Sequence, residues 1–321
     1  MKHRKIKVKN GYELIDYKFD TLLEMVNYVE KAKRITAKKS SATGDYSFTG
    51  THSFDEAMTM CKNGYFSKEV ENFQKLFFKI TNQIDKQLKV TRVKHDFIGG
   101  APDVPRYLIG HPLNMLNVDK KDMGKKPKKI VLRFNSSESC GTSKDYIEKK
   151  GLAFVLLFDL LKKLGSPVEL QTVEFSSYSY DGIYTNFEVS LMKNNDIMNI
   201  SKIYFPLAHP SYLRRIMFAL AERTPELEKH QGYFGGYGQP ASFREYIEMT
   251  GEDEHKNEIN IFSDDYRYNS LSVALKDIVK DIGAQGGLKT PTQQIIELID
   301  TIDFSPLSTF APEDDFDYDM D

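Results

Sequence analysis

The segment Lys128–Asp145, with the sequence KKIVLRFNSSESCGTSKD, contains the features that decide the fold. It includes a short apolar run, Ile130–Phe134, that is interrupted by one arginine. A run of this kind predicts a strand inside a sheet. An amide and several small hydroxyl residues follow at once, from Asn135 to Ser139. A polar turn at the end of a strand is either an ordinary connection to a helix or a place where ligands bind.

The sequence after this turn alternates between helix and strand patterns. The stretch from Asp145 to Leu164 is apolar over most of its circumference, so we expect a helix that is buried on a sheet and closed by Gly165. Two strand patterns, 168–175 and 184–191, flank an Asp-Gly turn and predict a hairpin. Further patterns predict a short strand at 203–207, helices at 212–223, 269–282 and 291–302, and a strand at 258–263.

This order of elements is typical of an α/β fold with a mainly parallel sheet. We predict a three-layer, Rossmann-like domain over residues 121–303, with strand 130–134 central and hairpin 168–191 at an edge. Residues 1–120 are predicted to form an N-terminal lobe of helices and loops, and residues 304–321 an acidic tail.

The predicted N-terminal lobe depends on three patterns. The first 40 residues have the apolar spacing of a helix around Leu22–Val29. Ser53 followed by Glu56 has the spacing of a capping box at the start of the next helix, which Gly64 ends. Residues 97–116 are rich in glycine and proline, which predicts an irregular, ordered loop that wraps the core.

Composition limits the classes of protein to consider. The chain has 321 residues, 40% of them hydrophobic, and 44 basic against 46 acidic side chains. It has two cysteines and no apolar run approaching the roughly 18–20 residues of a membrane span. We therefore expect a soluble, cytoplasmic protein without disulfide bonds, a structural zinc site or a membrane partner.

Catalytic motifs are not found in the sequence. The seven histidines show no HxxxH or HExxH spacing, and neither a P-loop nor a Gly-x-Ser-x-Gly motif occurs. We therefore expect a protein that is not an enzyme.

The turn Asn135-x-Ser137-x-Ser139 resembles the metal site of the von Willebrand factor A family, which opens with Asp-x-Ser-x-Ser at this place. The resemblance extends over the following helix, the hairpin and the strand before Asp264, roughly residues 128–285. It implies a Mg²⁺ site formed by Asn135, Ser137, Ser139 and Asp264. An amide in place of the leading carboxylate weakens binding of a hard cation. The expectation is therefore a degenerate site without a cofactor, in a domain that binds a protein partner.

Two other segments resemble signatures of an uncharacterised bacteriophage protein family. They are SFTGTHSFDEAMTMCKNGY, residues 47–65, and FPLAHPSYLRRIMFAL, residues 205–220. The resemblance implies a phage origin and action in the host cytoplasm, but no particular activity.

The alternative function is binding of single-stranded DNA. Basic residues suited to phosphate contact are Lys125, Lys126, Lys128, Lys129, Arg214 and Arg215. The acidic, aromatic tail resembles those of phage single-stranded DNA-binding proteins, and Phe316 and Tyr318 are its candidate contact residues. Residues 313–321 contain six acids, so we expect a tail that is flexible in isolation and dispensable for folding.

Overall fold

We describe a computed structural model of the chain. Its described residues are 1–7, 11–36, 39–89, 93–97, 101–102, 104–118, 128–138, 142–178, 182–228, 237–251, 258–268, 270–288, 290–302 and 304. The strands in these ranges are β1 (Lys2–Lys7), β2 (Glu13–Phe19), β3 (Val93–Asp96), β4 (Ala101–Pro102), β5 (Met115–Val118), β6 (Lys129–Asn135), β7 (Val168–Tyr178), β8 (Ile183–Met192), β9 (Gln239–Pro240) and β10 (Glu258–Phe262). The helices are α1 (Leu22–Lys31), α2 (Ser40–Thr43), α3 (Tyr46–Thr49), α4 (Phe54–Asn63), α5 (Lys68–Lys89), α6 (Val104–Leu108), α7 (Lys144–Lys163), α8 (Ile200–Ala208), α9 (Phe218–Ala221), α10 (Phe243–Thr250), α11 (Leu271–Ala284) and α12 (Thr292–Asp300), with a π-helix from Tyr212 to Met217.

The main sheet has the strand order β1-β2-β8-β7-β6-β10, and β9 pairs with β7. The pairs β2/β8, β7/β6 and β6/β10 are parallel, whereas β1/β2 and β7/β8 are antiparallel. The fold is thus α/β with a mostly parallel sheet, as the sequence predicts. Strands β3, β4 and β5 form a separate antiparallel sheet.

Two sequence predictions about the sheet are wrong. The hairpin β7/β8 is not at an edge, because β2 pairs with β8 and β1 pairs with β2. The second wrong prediction concerns the first 40 residues. Two strands of the main sheet, β1 and β2, precede the predicted helix there. The physical reason is the alternation within β2, where Ile15, Tyr17 and Phe19 pack in an apolar cluster on one face of the sheet.

Helices cover this apolar face of the sheet. Ile130, Leu132 and Phe134 of β6 pack with buried residues of α5, α7, α8, α11 and α12. Farther along the same face, β2 and β8 pack on α1, α4 and the π-helix. Within the described ranges, no helix has both the length and the apolar character to cross a membrane.

The opposite face of the sheet carries a polar network around Arg133. Its guanidinium donates to Gln171 Oε1 at 2.7 Å, Glu188 Oε2 at 2.9 Å and Asn260 Oδ1 at 2.9 Å. These partners lie on three other strands, so the arginine inside the apolar run of β6 is held by side chains from across the sheet. A buried ion pair of this type favours one strand register over its alternatives.

Two short segments differ from their predicted structures. Residues 203–207, predicted as a strand, belong to α8, which begins where the Asn199 side chain accepts the backbone N–H of Lys202 at 3.2 Å. A short apolar run does not distinguish a buried strand from a buried helix, so the cap decides. The predicted irregular loop 97–116 contains β4, α6 and the start of β5, and Tyr107, Leu108 and Ile109 in it are exposed.

Candidate functional site

The carboxyl ends of β6 and β10 form the candidate site. Asn135 ends β6, and Asp264 lies in a 3₁₀ turn directly after β10. The amide Nδ2 of Asn135 donates to Asp264 Oδ2, and its backbone N–H donates to Ser263 Oγ at 2.8 Å. The structure therefore brings together two of the four residues in the predicted metal site. Open α/β sheets bind ligands at this end of their strands.

A lysine ammonium lies among the oxygens of this site. Nζ of Lys150, on α7, donates to the backbone oxygen of Asn135 at 3.0 Å, to Glu138 Oε1 at 2.6 Å and to Asp264 Oδ1 at 2.9 Å. It also lies 5.2 Å from the centre of the Phe134 ring. The side chain is buried, with 2% of its surface exposed. We call these four oxygen-bearing and cationic residues, Asn135, Glu138, Lys150 and Asp264, the Lys150 cluster.

The electrostatics of the Lys150 cluster favour the charged form of the lysine. Burial by itself lowers the pKa of Lys150, but the carboxylates of Asp264 and Glu138 raise that pKa above its ordinary value. The ammonium is thus a fixed cation that three oxygen atoms surround, at the place where the von Willebrand A resemblance would put Mg²⁺. In the described part of the chain, no three His, Cys, Asp or Glu side chains form a group that could hold a metal ion.

The hydroxyl of Ser137, a residue of the predicted metal site, bonds outside this cluster. The backbone N–H of Ser137 donates to Asn135 Oδ1 at 3.0 Å, which closes a tight turn after β6. Its hydroxyl donates to Glu174 Oε1 at 3.3 Å, on neighbouring β7. Ser139 lies outside the described residues.

Glu174 is a buried acid that the sequence interpretation missed. Its Oε1 also accepts a hydrogen bond from Ser176 Oγ. Burial raises the pKa of Glu174 to about 7, although the two serine hydroxyls oppose the shift. The sequence does contain a signal for this acid. Three polar residues, Thr172, Glu174 and Ser176, occupy alternate positions of β7, on the face of the strand that packs on helices. Perturbed acids of this kind are found at functional sites and in structural networks alike.

A small cleft lies beside the site. It has a volume of about 20 Å³ and is lined by Ser136, Glu138, His209 and Arg214, among others. A volume near this size holds about one water molecule.

The two segments identified above by a resemblance, residues 47–65 and 205–220, pack on each other. Thr51 Oγ1 and Ser211 Oγ are 2.8 Å apart, and Ser211 Oγ also bonds to the backbone oxygen of Thr49. Gly50 has a φ of 75°, and a Cβ at this position would lie 3.0 Å from Pro210. The signatures thus describe one contact between the α3–α4 connection and the start of the π-helix.

Arg215 of the π-helix holds this contact together. It is fully buried, and its guanidinium donates to Thr51 Oγ1 at 2.7 Å and to the backbone oxygens of Ser41, Gly44 and Thr51 at 2.8–2.9 Å. Arg214 donates to the backbone oxygen of Phe48 at 2.6 Å and lies over its ring. A π-helical turn is rare, and here it directs two successive arginines onto residues 41–51.

Of the other predicted phosphate contacts, one is engaged in ion pairs, one is exposed and two lie outside the described ranges. Lys129 forms ion pairs of 2.9 Å with both Glu169 and Glu258. Lys128 is exposed. The residues that lie outside the described ranges are Lys125, Lys126, Phe316 and Tyr318.

Comparison with known proteins assigns a family. A family model described as a domain of unknown function, DUF7192, matches residues 4–286. The chain belongs to the DUF7192 family. No curated protein and no solved structure matches the chain. The DUF7192 match extends from the first strand of the main sheet to α11, and so includes the Lys150 cluster, Glu174 and Arg215.

Proposed function

We propose that this DUF7192 chain is a non-catalytic binding protein that uses a three-layer, von Willebrand A-like domain to bind a protein partner without a divalent metal ion. In this proposal it acts in the cytoplasm of a phage-infected host, because residues 47–65 and 205–220 resemble phage signatures.

The observation that carries the proposal is the position of Lys150. Its ammonium lies within 3.0 Å of three oxygen atoms that belong to Asn135, Glu138 and Asp264. A divalent ion at the same place would meet the lysine charge at contact distance, and this repulsion opposes metal binding. The lysine instead neutralises the acids internally. The site then acts as a fixed structural joint between β6, α7 and β10.

Exposed apolar side chains support a protein partner. Val104, Tyr107, Leu108 and Ile109 follow closely in sequence around α6, and Leu108 and Ile109 are 76% and 78% exposed. A contiguous exposed apolar surface is typical of a protein interaction site. We define residues 104–109 as the α6 segment and propose it as the contact surface.

The test is affinity capture of partners from native extract with the full chain, in buffer with Mg²⁺ and in buffer with EDTA. We expect the same partner in both buffers, and its loss when Leu108→Asp and Ile109→Asp are combined. Phe66→Asp is the matched control, since Phe66 is also exposed but lies elsewhere on the chain. Capture that requires Mg²⁺, or that is lost on nuclease treatment, would contradict the proposal.

A further inference from the structure

A cleft of about 610 Å³ lies outside the site described above. It opens between the start of α1, the end of α4 and the connection from β8 to α8. Its floor is apolar and includes Leu22, Leu191, Met192 and Ile203. Three lysines, Lys62, Lys193 and Lys202, contribute to its lining.

Lysines outnumber acids in the lining of this cleft, although one of them, Lys62, also forms an ion pair with Glu30, which lies outside the lining. Two acids, Asp20 and Asp196, also line it, against three lysines. The Asp196 carboxylate accepts the backbone N–H of Lys193 at 2.8 Å, so it is engaged in the turn before α8. The N-caps of α1 and α8, Thr21 and Asn199, both lie in the lining. Each helix N-terminus adds a partial positive charge.

Apolar side chains at the cleft are exposed to solvent. Ile197 is 93% exposed and Leu23 is 58% exposed, and both belong to the lining. Side chains of this size next to an apolar floor indicate a surface that another segment covers. Such a segment must combine acidic residues for the lysines with apolar residues for the floor.

The C-terminal segment of the chain has this pattern. Residues 313–321 read EDDFDYDMD, in which Phe316, Tyr318 and Met320 alternate with acids. In an extended conformation, successive side chains point to opposite sides. The three apolar side chains then share one side, and the intervening aspartates share the other.

We propose that residues 313–321 dock in the lysine-lined cleft of the same chain, with Phe316 and Tyr318 on its apolar floor and the aspartates near Lys62, Lys193 and Lys202. Phe304, the last described residue, packs on the hydrophobic cluster that contains Met192 and Ile203 of the cleft. The eight residues from 305 to 312 span up to roughly 28 Å when extended.

A lone tryptophan provides the test, because the chain contains none. Tyr318→Trp in the full chain reports docking through its emission wavelength and its protection from acrylamide. We expect a protected tryptophan that becomes solvent-exposed when Lys62, Lys193 and Lys202 are changed together to glutamine. The matched control changes Lys68, Lys75 and Lys79, three exposed lysines of α5, to glutamine and should leave the tryptophan protected.

A second measurement does not depend on folding of the triple variant. Raising the NaCl concentration to about 1 M shortens the range of charge interactions to about 3 Å and should expose the introduced tryptophan in the chain that carries Tyr318→Trp alone. A tryptophan that is exposed in every variant would overturn the proposal. So would protection that survives both the cleft substitutions and high salt, or protection that increases with protein concentration.

Discussion

Lys150 Nζ lies 2.9 Å from Asp264 Oδ1, at the carboxyl ends of the parallel strands β6 and β10. This pairing explains why Asn135 is an amide. Asn135 Nδ2 donates to the other oxygen of Asp264, a bond that a carboxylate could not make. With aspartate at 135, its carboxylate would lie against the carboxylate of Asp264 and repel it. Lys150 and Asn135 are therefore complementary, because each donates to a different oxygen of Asp264.

Lys150→Met should destabilise the fold by on the order of 3–5 kcal/mol, because it leaves Glu138 and Asp264 without their buried cation. Urea denaturation measures the loss. Lys280→Met is the control, since Lys280 is an exposed lysine whose ion pair with Asp277 is also exposed. Adding Glu138→Gln and Asp264→Asn to Lys150→Met should recover much of the stability. No recovery would mean that the lost bond to the backbone oxygen of Asn135, which these two changes do not restore, accounts for the destabilisation.

Asn135→Asp combined with Lys150→Ala should create a site for Mg²⁺ or Mn²⁺, because it replaces the internal cation with space and adds a carboxylate oxygen. Isothermal titration calorimetry compares this double variant with the unchanged chain, for which we expect no binding. Micromolar binding by the unchanged chain, abolished by Ser137→Ala, would refute the assignment of Lys150 as the replacement for the metal.

The sequence predicts the long elements well. Helix α7 and the hairpin β7/β8 are confirmed within a few residues, because each carries a sustained period and a clear turn signal. The strands β1 and β2 are not predicted, although Ile15, Tyr17 and Phe19 occupy alternate positions, because β2 is short and the helical spacing around Leu22 begins directly after it. The two-residue alternation of a short strand predicts that strand only when its boundary with the neighbouring helix is also recognised.

The sequence predicts only part of the candidate site. Asn135 and Asp264 follow strands, so strand order alone brings them together. Lys150 follows Lys149 in an ordinary helical pattern, and nothing in that pair distinguishes a buried ammonium from an exposed one. Its role depends on the packing of α7 across the ends of β6 and β10, which is a tertiary property.

Glu174→Gln should change the pH dependence of stability. The pKa of Glu174 is about 7 in the folded chain, against 4.5 ordinarily. Between these values the folded state binds more protons, so the free energy of unfolding falls as pH rises. Glutamine cannot ionise, so from pH 5 to pH 8 the variant should gain about 2–3 kcal/mol relative to the unchanged chain.

Denaturation of both proteins at pH 5 and pH 8 measures this difference. Glu71→Gln, at an exposed position of α5, is the control and should follow the unchanged chain. Parallel pH profiles for Glu174→Gln and the unchanged chain would show that Glu174 is not the titrating group.

Arg215→Lys should loosen residues 40–52 even though it keeps the charge. The Arg215 guanidinium donates in several directions at once, to the backbone oxygens of Ser41, Gly44 and Thr51 and to Thr51 Oγ1. One ammonium cannot reach all of these acceptors, so some of them lose their partner inside the fold, at a cost on the order of 2–4 kcal/mol. Hydrogen exchange followed by mass spectrometry should therefore show faster exchange over residues 40–52, while β6 and β7 stay protected.

Arg244→Lys, at an exposed position of α10, should leave the exchange pattern unchanged. Unchanged exchange over residues 40–52 in Arg215→Lys would mean that this segment is held by the Glu222 contacts to Arg34 and Ser41, and not by Arg215.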